Sequence, residues 1–251
     1  MDKRWLGNIN VNVLTTVESI NHIRENLIQK KTTNIFFLND HGYNIAQKDA
    51  HYRTILNDAD FLLNDGIGIE IGAKLFGFEF KENLNGTDFI PAFFHRLNEE
   101  MEQKYRIFLL GAKPGIAEKA RVKLQEQFSN LQFVGAQDGY FKEEDTDQVI
   151  EEINQLQTDI LLVGFGMPLQ EMWINENRDK LNCSLVFAVG AFLDFSSGVV
   201  QRAPKLFIQL RLEWLYRMLK EPRRLWKRNV VGHLAFFYSM FKQKRRKQKG
   251  I

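Results

Sequence analysis

Short, nearly continuous apolar runs recur along residues 34–200 and alternate with amphipathic stretches. Runs of this kind are typical of strands that are covered on both faces, as in parallel sheets. They predict strands at residues 34–39, 60–65, 106–111, 131–136, 159–166 and 184–191. Amphipathic segments between them, such as residues 114–128 and 146–156, predict helices. The alternation predicts an α/β fold with a Rossmann-like parallel sheet sandwiched by helices.

The pattern changes at about Pro204, where Leu, Trp and Phe begin to mix with arginines at helical spacing, and Pro222 divides this tail into two predicted helices. The apolar run at residues 230–241 has 12 residues, whereas about 20 are needed to cross a bilayer. Its basic flanks favour an interfacial, membrane-associating helix. The alternative is that its apolar face packs on the body or on a partner subunit. We therefore divide the chain into an α/β domain (1–200) and a basic amphipathic helical appendage (201–251).

Charge is distributed unevenly along the chain. Residues 201–251 contain 15 Lys and Arg residues but only two acidic residues, whereas residues 1–200 contain ten more acidic than basic residues. The net charge of +3 therefore conceals a basic tail on an acidic body. Such a tail predicts an anionic partner, either lipid headgroups, nucleic acid or a phosphorylated substrate. The acidic body offers no broad phosphate-binding face, so we expect no nucleic-acid partner.

The amino-acid composition and the absence of certain motifs limit the class of protein further. An apolar fraction of 44% with 26% charged residues is typical of a globular protein, and the single cysteine, Cys183, rules out an internal disulfide and favours a reducing cytoplasm. The first residues lack the apolar core of a signal peptide. The Asp-x-Asp pairs at 58–60 and 145–147 precede a strand and a helix, so we interpret them as structural and expect no metal. Neither a Gly-x-Ser-x-Gly elbow nor a Walker lysine motif is present.

The stretch FLLNDGIGIEIGAK (61–74) places an aspartate and three glycines directly after a predicted strand. Its glycines at 66, 68 and 72 are spaced one residue too far apart for the dinucleotide-binding pattern G-x-G-x-x-G, and Asp65 precedes the first of them. Ligands of open α/β sheets bind at the carboxyl ends of the strands. Polar residues at such ends are therefore candidate site residues, and they are Asn39, Asp65, Gln170, Glu171 and Asp194, joined by Arg202.

Seven ordered segments between about residues 30 and 230 resemble the WecG/TagA/CpsF family of bacterial glycosyltransferases. They are LNDGIGI (63–69), NGTDF (85–89), FLLGAKPG (108–115), VGFGMPLQEMW (163–173), FLDFSSG (192–198), QRAP (201–204) and EWLYRMLKEPRR (213–224). The resemblance implies an inverting, metal-independent enzyme that moves a sugar from a UDP-sugar to a polyprenyl-diphosphate-linked saccharide in the synthesis of bacterial surface polysaccharides such as exopolysaccharide. It implies no cofactor, since the UDP-sugar is a substrate.

The resemblance also implies a location. The enzyme is expected to be peripheral on the cytoplasmic face of the cell membrane, where residues 204–247 meet an anionic surface. In the family the appendage is thought to cover the active site as well as attach to the membrane. An appendage that can undock also makes a homo-oligomer an open expectation.

Among the matched residues, Asp65 is implied to be the general base, because inverting transfer needs a carboxylate within about 3 Å of the acceptor hydroxyl. The alternative is that Asp65 caps a helix. Gln170 is implied to bind the sugar or the diphosphate, and Asn39 matches an asparagine after the first strand. Glu171 is expected either to orient Gln170 or to bind the donor.

Further substrate contacts are implied at Gly66, Asn85, Asp88, Gly111, Gly164, Gly166 and Arg202. Backbone N–H groups of the glycine loops open helices and are suited to part of the diphosphate. The remaining positive charge is expected from Arg217, Arg223, Arg224 and Arg228, since arginine binds phosphate through paired hydrogen bonds. The alternative is that these arginines bind lipid phosphates only.

Two positions depart from the family pattern. Phe37 stands where many members have a polar run with a hydroxyl, and Asn83 stands where many have arginine. The departures favour an exopolysaccharide-type sugar over N-acetylmannosamine. Two other classes stay open, a NAD-dependent sugar-nucleotide enzyme and a non-catalytic protein whose basic tail binds lipid or RNA.

Overall fold

The computed structural model describes residues 1–100, 103–204, 207, 213–220 and 230–248. Its strands are β1 (Lys3–Leu6), β2 (Ile9–Asn12), β3 (Thr33–Leu38), β4 (Phe61–Asn64), β5 (Arg106–Gly111), β6 (Gln132–Gln137), β7 (Ile160–Gly164) and β8 (Leu185–Ala188). Its helices are α1 (Thr16–Ile28), α2 (Asp40–Lys48), α3 (Ala50–Asp58), α4 (Ile67–Leu75), α5 (Gly86–Asn98), α6 (Ile116–Gln127), α7 (Thr146–Gln155), α8 (Leu169–Asn177) and α9 (Phe192–Ser196), followed by a helix at Glu213–Lys220 and the C-terminal helix at Gly232–Gln248. Short 3-10 turns lie at Glu143–Asp145 and Arg178–Lys180.

Strands β3 to β8 form one parallel sheet in the order β4-β3-β8-β7-β5-β6. The predicted α/β, Rossmann-like fold and its six strands are confirmed. The sequence pattern missed β1 and β2, an antiparallel hairpin. The hairpin is fastened to β4, since the backbone N–H of Leu62 donates to Oδ1 of buried Asn12 over 2.8 Å. Strands of four residues are too short to give a clear alternation.

Each strand of the sheet presents side chains alternately to two apolar layers, which is why the runs look continuous in the sequence. In β3, Ile35 and Phe37 face one layer, whereas Phe36 and Leu38 face the other. Helices α1, α5, α6 and α9 cover the first layer. The hairpin, helices α2, α3, α4, α7 and α8 and the C-terminal helix cover the second.

The C-terminal helix packs on the body through one face. Phe236 and Met240 are fully buried in the second apolar layer, and the Phe236 ring lies 5.2 Å from that of Tyr43 on α2. Gly72 on α4 makes the close approach possible, because a Cβ there would lie 2.8 Å from Met240 Cε and 3.0 Å from Phe236 Cζ. Part of the run at 230–241 therefore packs on the body, as the alternative interpretation required, while the boundary at residue 200 stays a prediction.

The opposite face of this segment is exposed. Val231, Leu234, Tyr238 and Phe241 are between 52% and 70% exposed, and Lys242, Lys244 and Arg245 follow them. Their spacing of three or four residues puts the four apolar side chains on one stripe. None of the described helices has the length and apolarity needed to cross a membrane.

Candidate active site

A cleft of about 1620 Å³ opens along the carboxyl edge of the sheet. Loops after β3, β4, β5, β7 and β8 line it, and Trp214 and His233 from the tail line it as well. The site residues predicted at strand ends meet here, since Asn39, Asp65, Gln170 and Asp194 all contribute to the lining. Glu171 is not part of the described lining and is fully buried.

Asp65 directly follows β4 and lines the cleft. Its backbone N–H donates to the carbonyl of Leu38 over 2.9 Å, so its position is tied to the neighbouring strand. Gly66 follows with a φ of 96°, a conformation that glycine adopts without strain, and occupies the N-cap position of α4. Asp65 therefore precedes the cap position, and the turn at Gly66 carries the chain from the strand into the helix.

A short loop fastens this turn. The backbone N–H of Gly66 donates to Oδ1 of Asn83 over 2.9 Å, and Asn64 exchanges hydrogen bonds with Glu82 and Leu84. Asn83 thus supports the Asp65–Gly66 turn. Glu82, in the same loop, accepts hydrogen bonds from the Thr16 backbone N–H and hydroxyl at 2.8 and 2.6 Å.

Two of the predicted asparagines cap helices beside the cleft. Oδ1 of Asn39 accepts from the Gly42 backbone N–H over 3.0 Å at the start of α2. Oδ1 of Asn85 accepts from the Asp88 backbone N–H over 3.1 Å at the start of α5. Both line the cleft, so each cap holds its own side chain and its helix N-terminus toward the site.

Arg202 bridges two carboxylates. It donates to Asp88 on α5 and, over 2.9 Å, to Glu213 at the start of the next helix. Burial alone would raise the pKa of Asp88, but hydrogen bonds from Arg202 and Asn85 bring that pKa below its ordinary value. The guanidinium thus ties the start of the tail to α5, and its charge is balanced within the protein.

The glycines after β5, β7 and β8 bring three backbones together. At Gly111, whose φ is 135°, a Cβ would lie 2.6 Å from the backbone of Gly164. At Gly164, a Cβ would lie 3.0 Å from the carbonyl oxygen of Gly190. These glycines therefore allow the strand-end backbones to pack directly on one another at the carboxyl edge of the sheet.

Gln170 joins two of these loops. Its Oε1 accepts from the backbone N–H groups of Gly166 and Gly190 at 3.1 and 3.0 Å. Its Nε2 donates to Oε1 of Glu171 over 2.7 Å. The amide is 1% exposed and lines the cleft from beneath the loops. Of the two expectations for Glu171, this geometry supports the one in which it orients Gln170.

Glu171 is buried between α8 and α3. Burial raises the pKa of its carboxyl to about 7, and the hydrogen bond from Gln170 acts in the opposite direction. Burial also raises the pKa of the Tyr52 hydroxyl, as does the charge of Glu171. The carboxyl therefore changes charge near neutral pH.

A pair that the sequence did not reveal lies at the mouth of the cleft. Nδ1 of His233, at the start of the C-terminal helix, lies 2.5 Å from Oδ2 of Asp40, at the start of α2. The His233 ring packs edge-on against Trp214 with centroids 4.9 Å apart. A histidine inside an apolar run, 193 positions away from its partner, leaves no local signal. Only the packing of the C-terminal helix unites them.

Aromatic side chains form one wall of the cleft. The rings of Phe141, Phe165 and Trp173 follow one another edge to face, with centroids 5.8 and 5.6 Å apart. Tyr140 is 69% exposed beside them. Such a wall offers flat apolar surface to a sugar or base ring.

Two further expectations concern metals and the tail arginines. Among the described residues, His, Cys, Asp and Glu side chains form no group of three suited to a metal ion. Neither Asp-x-Asp pair belongs to the cleft lining, and Oδ2 of Asp60 accepts from the Asn34 backbone N–H over 2.9 Å. Arg223, Arg224, Arg228 and the side chain of Arg217 lie outside the part of the chain that the structure describes.

A parallel α/β sheet with a polar cleft at its carboxyl edge is typical of the class of α/β proteins whose strand-end loops bind the ligand. Comparison with known proteins narrows this class: residues 4–250 match the model of the glycosyl transferase WecG/TagA/CpsF family. The chain belongs to this family and is a glycosyltransferase.

Two relatives carry the same printed name, N-acetylglucosaminyldiphosphoundecaprenol N-acetyl-beta-D-mannosaminyltransferase. The protein of Bacillus subtilis (strain 168) is 33% identical over 183 residues, which cover 73% of this chain and 69% of the relative. The protein of Staphylococcus aureus (strain MW2) is 28% identical over 241 residues, which cover 94% of this chain and 91% of the relative.

Proposed function

We propose that this protein transfers a sugar from a UDP-sugar to a polyprenyl-diphosphate-linked saccharide, with inversion at the anomeric carbon and without a metal ion. The observation that carries the proposal is Asp65, held by the Gly66 turn at the carboxyl end of β4 in the cleft of a glycosyltransferase. The names of the two relatives support the acceptor class, since both name a diphosphoundecaprenol-linked sugar.

In the proposed reaction, Asp65 is the general base. Its carboxylate takes the proton of the acceptor hydroxyl while that oxygen forms a bond to the anomeric carbon. The bond from that carbon to the UDP oxygen breaks on the opposite face, and UDP leaves with the bonding electrons. Backbone N–H groups of the loops that lead from β5 and β7 into α6 and α8 stabilise its diphosphate, because these loops line the cleft and open helices.

The identity of the sugar depends on the floor of the cleft. Phe37 lines the cleft and is 4% exposed, with its ring 6.0 Å from that of Phe89. Oδ1 of Asn83 accepts a hydrogen bond from the Gly66 backbone N–H. The Phe37 ring and the Asn83 side chain, whose oxygen is already bonded, offer a sugar fewer polar contacts than the hydroxyl and the arginine that many family members have at these positions. This difference supports a sugar other than N-acetylmannosamine.

We further propose that the protein is peripheral on the cytoplasmic face of the cell membrane. The exposed stripe of Val231, Leu234, Tyr238 and Phe241 and the basic residues that follow it support this location. Apolar side chains enter the lipid interface while lysines and arginines meet anionic headgroups.

The test is sugar transfer from a panel of UDP-sugars to a polyprenyl-diphosphate-linked saccharide, with and without EDTA. We expect one or a few donors to be used, EDTA to leave the rate unchanged, and the product anomer to be inverted. Asp65→Asn is expected to fold normally and to lower kcat by about 10²-fold or more, since a positioned general base contributes about that much.

The matched control is Asp58→Asn, an exposed aspartate at the end of α3 outside the cleft lining, which is expected to keep the wild-type rate. Wild-type turnover in Asp65→Asn would contradict the base assignment. Loss of activity in EDTA would contradict metal independence, and NAD reduction without any transfer would contradict the proposed function.

A further inference from the structure

The cleft has a surplus of negative charge for a substrate that carries a diphosphate. Its described lining contains the carboxylates of Asp40, Asp65, Glu82, Asp88, Glu143, Asp194 and Glu213. Arg202 is paired with two of these carboxylates, Asp88 and Glu213. The described lysines of the lining are Lys81 and Lys113, and Lys81 is paired with both carboxylate oxygens of Glu18 at 2.7 and 2.9 Å. Among the described residues, the lining therefore holds more carboxylates than cations, so a further positive charge there would favour binding of an anionic ligand.

His233 has the features of that cation. The hydrogen bond to Asp40 raises the pKa of the imidazole, with burial acting in the opposite direction. Because Nδ1 faces Asp40, the protonated ring has Nε2–H left as its second donor. Nε2 is enclosed and has no hydrogen-bond partner among the described residues. Most enclosed hydrogen-bond donors in proteins have an acceptor, so we expect the Nε2–H of His233 to have one as well.

The geometry of the C-terminal helix also favours a role in the site. The helix is anchored beside His233 by a 2.8 Å hydrogen bond from Nδ2 of Asn44 to the Gly232 carbonyl, and one turn later by buried Phe236. The imidazole is thus held between two rigid helices at the cleft.

We propose that His233, oriented by Asp40, donates from Nε2 to an oxygen of the substrate diphosphate. The inference rests on the proposed function for its substrate class. A diphosphate is present in both the UDP-sugar and the lipid-linked acceptor, and the experiment separates these two sources.

The first measurement is the NMR titration of the wild-type imidazoles, with His233 assigned from the spectrum of His233→Gln. Inorganic diphosphate and UDP are expected to raise the pKa of His233, and uridine to leave it unchanged. Asp40→Asn is expected to lower that pKa in the free protein. The NMR titration needs no turnover, so it tests whether His233 binds a diphosphate even if the enzyme uses none of the UDP-sugars. An unchanged His233 titration in both anions would overturn it.

The second measurement is steady-state kinetics of His233→Gln. Loss of one charge-assisted hydrogen bond is expected to raise one KM by roughly 10- to 100-fold at pH 6. The difference from wild type is expected to shrink as pH rises and His233 loses its proton. A raised KM for the UDP-sugar assigns the contact to the donor, and a raised KM for the lipid-linked saccharide assigns it to the acceptor.

The matched control is His22→Gln, a half-exposed histidine on α1 whose ring nitrogen faces Glu25 at 3.8 Å, and it is expected to keep both KM values. Hydrogen exchange of the C-terminal helix in His233→Gln shows whether the helix stays docked. A docked His233→Gln enzyme with both KM values unchanged would contradict the inference while the proposed function stands. Absence of transfer in the wild type would instead contradict the proposed function.

Discussion

At the scale of single residues, the neighbours Gln170 and Glu171 have different roles. The Gln170 amide holds the loops at Gly166 and Gly190, whereas the Glu171 carboxyl lies fully buried behind it. One oxygen of that carboxyl accepts from Gln170, and the other has no hydrogen-bond partner among the described residues. A buried carboxyl with an unsatisfied oxygen favours its neutral form, which explains the direction of its pKa shift.

This shift predicts how stability changes with pH. The folded protein holds the Glu171 proton up to a pKa of about 7, whereas the unfolded chain releases it near 4.5. The contribution of Glu171 to the free energy of unfolding is therefore fully present below pH 4.5 and is lost as pH rises through 7. Glu171→Gln is expected to lack this loss, which amounts to at most about 1.4 kcal/mol per pH unit.

Urea unfolding of wild type and Glu171→Gln between pH 5 and pH 8 measures the effect. The stability of the variant relative to wild type is expected to grow across this range, because glutamine keeps the acceptor for Gln170 and carries no charge. Glu176→Gln, an exposed site on the same helix, is the matched control and is expected to follow wild type. A Glu171→Gln curve parallel to wild type would contradict the raised pKa.

At the scale of secondary-structure elements, the C-terminal helix has two apolar faces, of which one packs on the body and the other is exposed. Phe236 and Met240 fill a groove between α2 and α4 that Gly72 leaves open. Leu234, Tyr238 and Phe241 point away from the body and are mostly exposed. The helix is 17 residues long, and a helix of that length depends on tertiary packing for its stability.

The docked face is expected to control the attachment of this helix. Phe236→Ala removes a fully buried ring, a change that costs about 3–5 kcal/mol in protein cores. Amide exchange within Gly232–Met240 is expected to become at least about 10²-fold faster as the helix undocks. Phe241→Ala removes the same ring from the exposed face and is expected to leave exchange unchanged. Equal protection in both variants would show that the described packing does not hold the helix.

At the scale of the whole molecule, an acidic body carries a basic tail. The body keeps its cleft at the carboxyl edge of the sheet, and the tail brings His233 to that cleft and an apolar stripe to solvent. A substrate carried by a lipid would reach the cleft most readily if the stripe lay in the membrane surface.

Membrane binding is therefore expected to depend on the stripe and on salt. Wild type is expected to bind vesicles containing anionic lipid and to be released as ionic strength rises, since each basic residue contributes about 1 kcal/mol near such a surface. L234S/Y238S/F241S is expected to lower the partition coefficient at least about tenfold, because three side chains leave the lipid. Flotation of vesicles in a density gradient measures the bound fraction.

The matched control for flotation is Val17→Ser, which changes a 67% exposed apolar residue on α1, on the other side of the sheet. It is expected to bind like wild type. Undiminished flotation of the triple variant would contradict the proposed membrane surface.

Much of the fold was predictable because its signal is local. The strands are buried on both faces, so their apolar runs are visible without any partner, and the loops after them carry the glycines that their turns require. The hairpin β1–β2 was missed because its strands are short. The pairing of Arg202 with Asp88 and Glu213 was also invisible, since salt bridges between residues 114 and 11 positions apart leave no periodic pattern.

The sequence by itself determined the α/β class, the six parallel strands, the family and the position of Asp65 at a strand end, because each depends on neighbouring residues or on short ordered segments. The tertiary structure alone decided that Gln170 ties two loops, that Glu171 is enclosed, and that His233 meets Asp40. These features depend on burial and on the docking of the C-terminal helix. Distances between residues remote in the chain arise only when apolar faces close on one another.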